Sequence, residues 1–360
     1  MPDPVNLLEY EALARATLPE PAFGYFGSGA GCEITSRENR SAFDDLRLRP
    51  RVLIPVGKRD QSITLFGRTL PSPILVAPMA FQKVAHPDGE PATARGCAAA
   101  GVLFVASTMA SVSLEEIAAA SLAPKWFQLY VFQDRGITRA IVERAEAAGY
   151  EALQVTADLP VTGRREADIR NAFLLPDDVK PRNLESAIGG CLTPDGSPDG
   201  PVPYSRYLFD PNLSWADIAW LRSITKLPVL VKGILRGDDA DRAISHGAAG
   251  IVVSNHGGRQ LDTVVPTIRA LPEVVDAVAG RGLVIIDSGI RRGIDIVKAI
   301  ALGANAVQVG RPAIWGLATG GEAGVARVMT LLREELDNVL ALCGCPTIGH
   351  ITRDLVAFAT

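Results

Sequence analysis

Gly250-Ile251-Val252-Val253-Ser254-Asn255-His256-Gly257-Gly258-Arg259-Gln260-Leu261-Asp262 joins four apolar residues to a polar, glycine-rich turn. The run is short, bounded by turn signals and without polar alternation, the pattern of a strand buried on both faces. A histidine and an arginine stand where that strand should break surface. An imidazole takes up a proton near neutral pH, and a guanidinium three residues on can grip a carboxylate through a two-pronged hydrogen bond.

Seven more runs of the same kind lie on either side, at residues 74–77, 103–106, 126–130, 152–156, 229–232, 283–286 and 306–309. Alanine-rich helical stretches separate them. Ser113 reads as the cap of a helix that begins Leu114-Glu115-Glu116, and residues 137–148 read as a helix ended by Gly149. Strands alternating with helices make parallel βα units, and eight units close into an α/β (β/α)8 TIM barrel. The expected organisation is a single domain over residues 1–360. It has an N-terminal helical extension (1–70), the barrel (71–345), an insertion after strand four (176–212) and a C-terminal tail (346–360). The insertion contains Gly189-Gly190-Cys191-Leu192-Thr193-Pro194-Asp195-Gly196-Ser197-Pro198-Asp199-Gly200-Pro201, which cannot pack a core. It reads either as a mobile lid over the active face or as an insertion with no role.

Composition narrows the partners. The chain has 360 residues, 48% of them hydrophobic, which allows a large core. A net charge of -4 with no long basic run argues against nucleic acid, so anionic ligands must be held by local arginines. Five scattered cysteines do not form a secreted disulfide framework and fit a reduced, cytoplasmic setting. Cys343 and Cys345, with His350 nearby, lack the paired spacing of a zinc site, so no metal is expected. No apolar stretch approaches the roughly 18 to 20 residues that cross a bilayer, and the first twenty residues lack a signal peptide's pattern.

In a barrel of this type the active site lies at the carboxyl ends of the strands. The residues there are Pro78-Met79-Ala80, Ser107-Thr108, Gln128 with Tyr130, Thr156 with Asp158, Lys232, Ser254 with His256, Asp287, and Gly310-Arg311. Singly, each could be a solvated loop residue; together they form the rim that a polar ligand requires. Asp287-Ser288-Gly289-Ile290-Arg291-Arg292-Gly293 and Val309-Gly310-Arg311-Pro312 pair glycines with arginines at helix starts. Backbone N–H groups, a helix dipole and guanidinium groups together bind phosphate, and the last two loops are where this fold binds it. Lys232 ends an apolar strand and needs an anion or polar ligand beside it. A flavin edge, a Schiff base and a structural ion pair are the three readings.

These motifs resemble the FMN-dependent L-2-hydroxy-acid oxidases and dehydrogenases from about residue 8 to residue 351. The segments that carry the resemblance are Ser28-Gly29-Ala30, Ala77-Pro78-Met79-Ala80, Phe127-Gln128-Leu129-Tyr130, Gly163-Arg164-Arg165-Glu166-Ala167-Asp168, Val231-Lys232-Gly233, residues 254–262 and Arg291-Arg292-Gly293. The resemblance implies that His256 is the catalytic base and that Asp158 stabilises its protonated ring. It implies that Arg165 and Arg259 hold the substrate carboxylate with Tyr25, while Tyr130 bonds the hydroxyl. For FMN it implies Pro78, Met79, Ala80, Ser107, Gln128, Thr156 and Ser254 at the flavin, Lys232 at its N1 side and Asp287 at the ribityl chain. Gly289, Arg291, Gly310 and Arg311 then fall at the phosphate. Met109 stands where glycolate-preferring relatives carry tryptophan, which points away from glycolate and toward L-lactate. Gly24 and Gly27 flank Tyr25 where bulkier residues are common, which either alters the placement of that tyrosine or only loosens a loop.

The implied activity is oxidation of a small L-2-hydroxy acid to the 2-oxo acid, with O2 reduced to H2O2 by a homotetramer. No haem domain precedes the match, and residues 175–211 lack a long apolar anchor, so O2 is the expected acceptor. The alternatives are a soluble dehydrogenase that uses a quinone or carrier protein, an oxidase of aromatic, mandelate-type acids, and a flavin-binding scaffold without turnover.

Overall fold

The computed structural model describes residues 3–185 and 209–358, so the glycine- and proline-rich stretch 189–201 lies outside the described residues. Eight parallel strands close into a barrel in chain order. They are β1 (Ile74–Val76), β2 (Leu103–Ser107), β3 (Lys125–Leu129), β4 (Leu153–Thr156), β5 (Val229–Ile234), β6 (Gly250–Val253), β7 (Leu283–Ile286) and β8 (Ala306–Val309). Each is the strand expected from its apolar run, with ends shifted by two residues or fewer. The cause is double burial: one face packs on the surrounding helices and the other fills the barrel, so polar alternation is lost.

The strand register stacks the inward side chains in layers contributed by alternate strands. Leu75, Trp126, Leu230 and Ile285 share a level. Val105, Gln154, Val252 and Gln308 lie above them, and Ala77, Gln128, Lys232 and Asp287 above those. Polarity therefore rises toward the carboxyl ends of the strands. The opposite end is sealed by the hairpin Ile63–Leu65 and Arg68–Leu70, whose Leu65 and Leu70 join the inner core. Phe66 at its turn lies 5.6 Å from the Trp126 ring. The barrel is thus open to ligands at one end.

Helices of the N-terminal extension, Leu7–Thr17, Glu20–Gly27 and Ile34–Ser41, pack beside the barrel. The tail residues Val356–Phe358 pair antiparallel with Leu46–Leu48, so the tail is pinned to the extension. Ser113 does cap its helix, in a reciprocal capping box with Glu116. The helix expected over 137–148 spans Arg135–Ala147, beginning earlier because the Asp134 side chain accepts from the Gly136 N–H. Gly149 follows it with φ +81°, a left-handed conformation that favours glycine.

Two glycines correct the sequence reading. Gly24 and Gly27 lie inside the helix Glu20–Gly27 and not in a loop. A Cβ at Gly24 would come within 2.7 Å of Asn171 Nδ2, and one at Gly27 within 3.1 Å of the Phe23 ring. Close packing, and not looseness, accounts for both.

Candidate active site

A cleft at the carboxyl ends of the strands holds about 1140 Å³ of unfilled space, mouth included, enough for a nucleotide and a small acid together. Its walls include Tyr25, Pro78, Met79, Ala80, Ser107, Met109, Gln128, Tyr130, Thr156, Arg165, Lys232, His256, Arg259, Asp287, Gly289, Arg291, Gly310 and Arg311. Asp158 and Ser254 stand directly behind that wall, bonded to His256 and Lys232 respectively. All the expected site residues thus come together at one end of the barrel.

The turn after β6 sets the histidine. His256, Gly257 and Gly258 all have positive φ, at +58°, +68° and +74°, a left-handed run possible because two of the three are glycine. A Cβ on Gly258 would lie 2.6 Å from Ser36 N, so the turn also fits tightly against the N-terminal extension. Asn255 fixes it from behind. Its amide exchanges two hydrogen bonds with Asn39, of 2.7 and 2.8 Å, and its Oδ1 accepts from Gly258 N.

His256 Nδ1 lies 3.0 Å from Asp158 Oδ1. A carboxylate there makes Nδ1 the protonated nitrogen and leaves Nε2 able to accept a proton. Burial lowers the His256 pKa, the Asp158 charge opposes that, and Lys232 adds to the lowering. The imidazole is therefore neutral at pH 7. Burial raises the Asp158 pKa, but the His256 and Lys232 charges outweigh it and hold the carboxyl below its ordinary value.

Arg259 and Arg165 face the same space. Burial and then the like charge of Arg165 push Arg259 down to about 9, the signature of a guanidinium that lacks an anion. Arg259 Nη1 donates to Ser28 O at 3.0 Å, and its guanidinium lies 5.4 Å from the Tyr25 ring centre. Tyr25 is stacked on Phe173 at 4.8 Å. Tyr130 is stacked on Phe209 at 4.2 Å. Burial raises the pKa of both phenols, so both remain hydrogen-bond donors.

Beyond the histidine the cleft is lined by further cations, Lys232, Arg291 and Arg311. Lys232 Nζ donates to Ser254 Oγ at 2.9 Å, Ser254 Oγ donates to Asp287 Oδ2 at 2.9 Å, and Lys232 Nζ is 3.5 Å from that oxygen. The structural ion pair considered for Lys232 is real, and the lysine still borders the cleft. Arg291 and Arg311 follow at the last two strand ends, both depressed by burial, Arg311 to about 10. Arg311 donates to the carbonyls of Phe26, Ser28 and Gly257, which ties the N-terminal segment to the catalytic turn. Gly310 caps the helix Arg311–Cys343 and directs its N-terminus at the same space. Four guanidinium groups, of Arg165, Arg259, Arg291 and Arg311, thus line the cleft, an arrangement suited to anionic ligands.

Gly289 illustrates how tight this end is. Its φ is +89°, and a Cβ there would lie 1.9 Å from Asn39 O. Gly289→Ala is expected to yield little FMN-loaded soluble protein, read as the ratio of flavin to protein absorbance. A normal ratio would show that this loop yields freely.

The chain matches the family model described as FMN-dependent dehydrogenase over residues 14–358. It belongs to that family. FMN is its cofactor, in keeping with a large cleft lined by a lysine and four arginines. The L-lactate oxidase of a Nostoc species is 50% identical over 97% of this chain and 96% of that protein. Glycolate oxidase 1 of Zea mays is 48% identical over 97% and 94%. A crystal structure of mandelate oxidase with (S)-4-hydroxymandelic acid superposes with a TM-score of 0.94 at 42% identity, covering 99% of this chain and 100% of that one.

Several residues of this family member's site escaped the sequence reading. Gln260 lies within the opening segment, and its amide donates to the carbonyls of Asp158 and Val161, joining two active-site loops. Leu159 and Phe209 supply apolar wall. Phe209 had no signal, because it lies near the end of the long insertion and is placed by contacts distant in sequence, a bridge to Phe132 and the stack on Tyr130. Asp168 is buried with neither carboxyl oxygen partnered among the described residues; burial raises its pKa against the pull of Arg259 and Arg165.

Proposed function

We propose that the enzyme oxidises a small L-2-hydroxy acid, L-lactate first, to the 2-oxo acid, and passes the electrons to O2 to give H2O2. The observation that carries this is that His256, Arg165, Arg259, Tyr25 and Tyr130 all line the FMN cleft. Arg165 and Arg259 hold the carboxylate in a fork that fixes which face of the α-carbon meets the cofactor. Tyr130 and His256 Nε2 bracket the hydroxyl. His256 accepts one proton, the other hydrogen and two electrons pass to the acceptor, and Asp158 compensates the new charge across the 3.0 Å contact. FMN, when bound, supplies the two-electron acceptor.

Pro78, Met79, Ala80, Ser107, Gln128, Thr156 and Ser254 would hold the flavin ring, with Lys232 at its N1 side and Asp287 at the ribityl chain. Gly289, Arg291, Gly310 and Arg311 would hold the phosphate. Oxygen as acceptor is supported by the three relatives named above, all of them oxidases.

Lactate is favoured by the L-lactate oxidase relative and by Met109, which is buried and lines the cleft. Replacing Met109 by tryptophan should shift the kcat/KM ratio toward glycolate by about tenfold or more. An unchanged ratio would remove Met109 from the substrate pocket. Aromatic acids are the second reading, favoured by the apolar wall of Met109, Leu159 and Phe209.

A homotetramer in the cytoplasm is the proposed setting. Val52, Leu53 and Leu342 are exposed apolar residues on segments joined by the Arg51 N to Cys343 O hydrogen bond, and such surface favours self-association. No helix among the described residues is long and apolar enough to cross a membrane.

A further inference from the structure

We propose that Gln154 and Gln308 bind a water molecule locked on the barrel axis, one layer beneath the cofactor cleft. Gln154 is on β4 and Gln308 on β8, four strands apart in a closed ring of eight, and the register puts both on one level. They therefore face one another across the barrel. Both are buried, at 0% and 1% exposure, and none of their four amide N and O atoms has a hydrogen-bond partner among the described residues.

No neighbour among the described residues supplies one. Val105 and Val252 complete the level and carry no polar side-chain atom. In the layer above, Gln128 is committed to Thr156, Ser107 and Thr108, and Lys232 and Asp287 to Ser254. Buried carboxamides left unpaired cost more than leucines would, so two of them facing one another need a shared partner.

Size and charge identify that partner. With strands about 4.8 Å apart and tilted about 36°, opposite backbones in an eight-stranded barrel stand roughly 15 Å apart. Each glutamine reaches roughly 5 Å inward, which leaves about 5 to 6 Å between the amide ends, the span of two hydrogen bonds through one oxygen. The amides offer donors and acceptors but no charge, which suits water and not an ion. Gln308 also lines the cleft, so this water would form part of the floor under the cofactor.

The test is a crystal structure of the FMN-loaded enzyme at a resolution that shows ordered water, together with Gln154→Leu, Gln308→Leu and the double variant. The proposal expects a water within about 3.2 Å of an amide atom of each glutamine. It also expects that peak to vanish in either single variant, each single variant to lower Tm, and the double variant to lose less than the two losses combined. Amides bonded directly to one another or to the cofactor would overturn it. So would a peak that persists in the double variant, or single variants as stable as the parent. If a leucine variant does not fold, Gln154→Met provides the same comparison.

Discussion

Replacing His256 by alanine is expected to slow the anaerobic bleaching of bound FMN by L-lactate about 100- to 10,000-fold, the range that a positioned general base supplies. Stopped-flow absorbance measures it directly. The reason is local: Nε2 is the ring nitrogen left for the substrate once Nδ1 is bonded to Asp158. The pH dependence follows from the same geometry. The base must be neutral, and burial sets its folded pKa below 6.5, so the acid limb of kcat/KM lies below pH 6.5 and activity falls as pH drops through it. Asp158 acts in the raising direction, so Asp158→Asn should move that limb to still lower pH while slowing the reaction. Bleaching as fast in His256→Ala as in the parent would remove His256 as the base.

The second large effect is expected at the clamp. Arg259→Met should lower kcat/KM for L-lactate by about 30- to 5,000-fold, which is 2 to 5 kcal/mol for one partner of a buried, hydrogen-bonded charge pair. Arg259→Lys should recover part of that, because charge returns without the planar fork. Arg259 also donates to Ser28 O, so FMN content and Tm need to accompany the kinetics. Loss of kcat/KM with FMN content and Tm near the parent's locates the defect in substrate binding. Unchanged kcat/KM would mean that the carboxylate lies elsewhere.

The barrel was legible because its strands are buried on both faces, which condensed each into an apolar run such as Gly250–Val253 with a polar residue at its end. The site was legible for the same reason, since a strand end in this fold is a site position. What remained hidden depended on contacts distant in sequence. The hairpin that seals the floor has three-residue strands and too little pattern to read. Gly24 and Gly27 read as loop residues because the packing of Asn171 and Phe23 that requires them is invisible in a single stretch. Gln154 and Gln308 each interrupt an apolar run by one residue, and only the register shows that they meet.

The decisive measurement is anaerobic titration of the FMN-loaded protein with L-lactate, followed by admission of air with H2O2 and the 2-oxo acid quantified. The flavin should bleach with one equivalent of L-lactate, yield one equivalent of pyruvate, and recover in air with one equivalent of H2O2. A flavin that stays oxidised with lactate, glycolate and mandelate alike would contradict the assignment of this cleft to 2-hydroxy-acid oxidation.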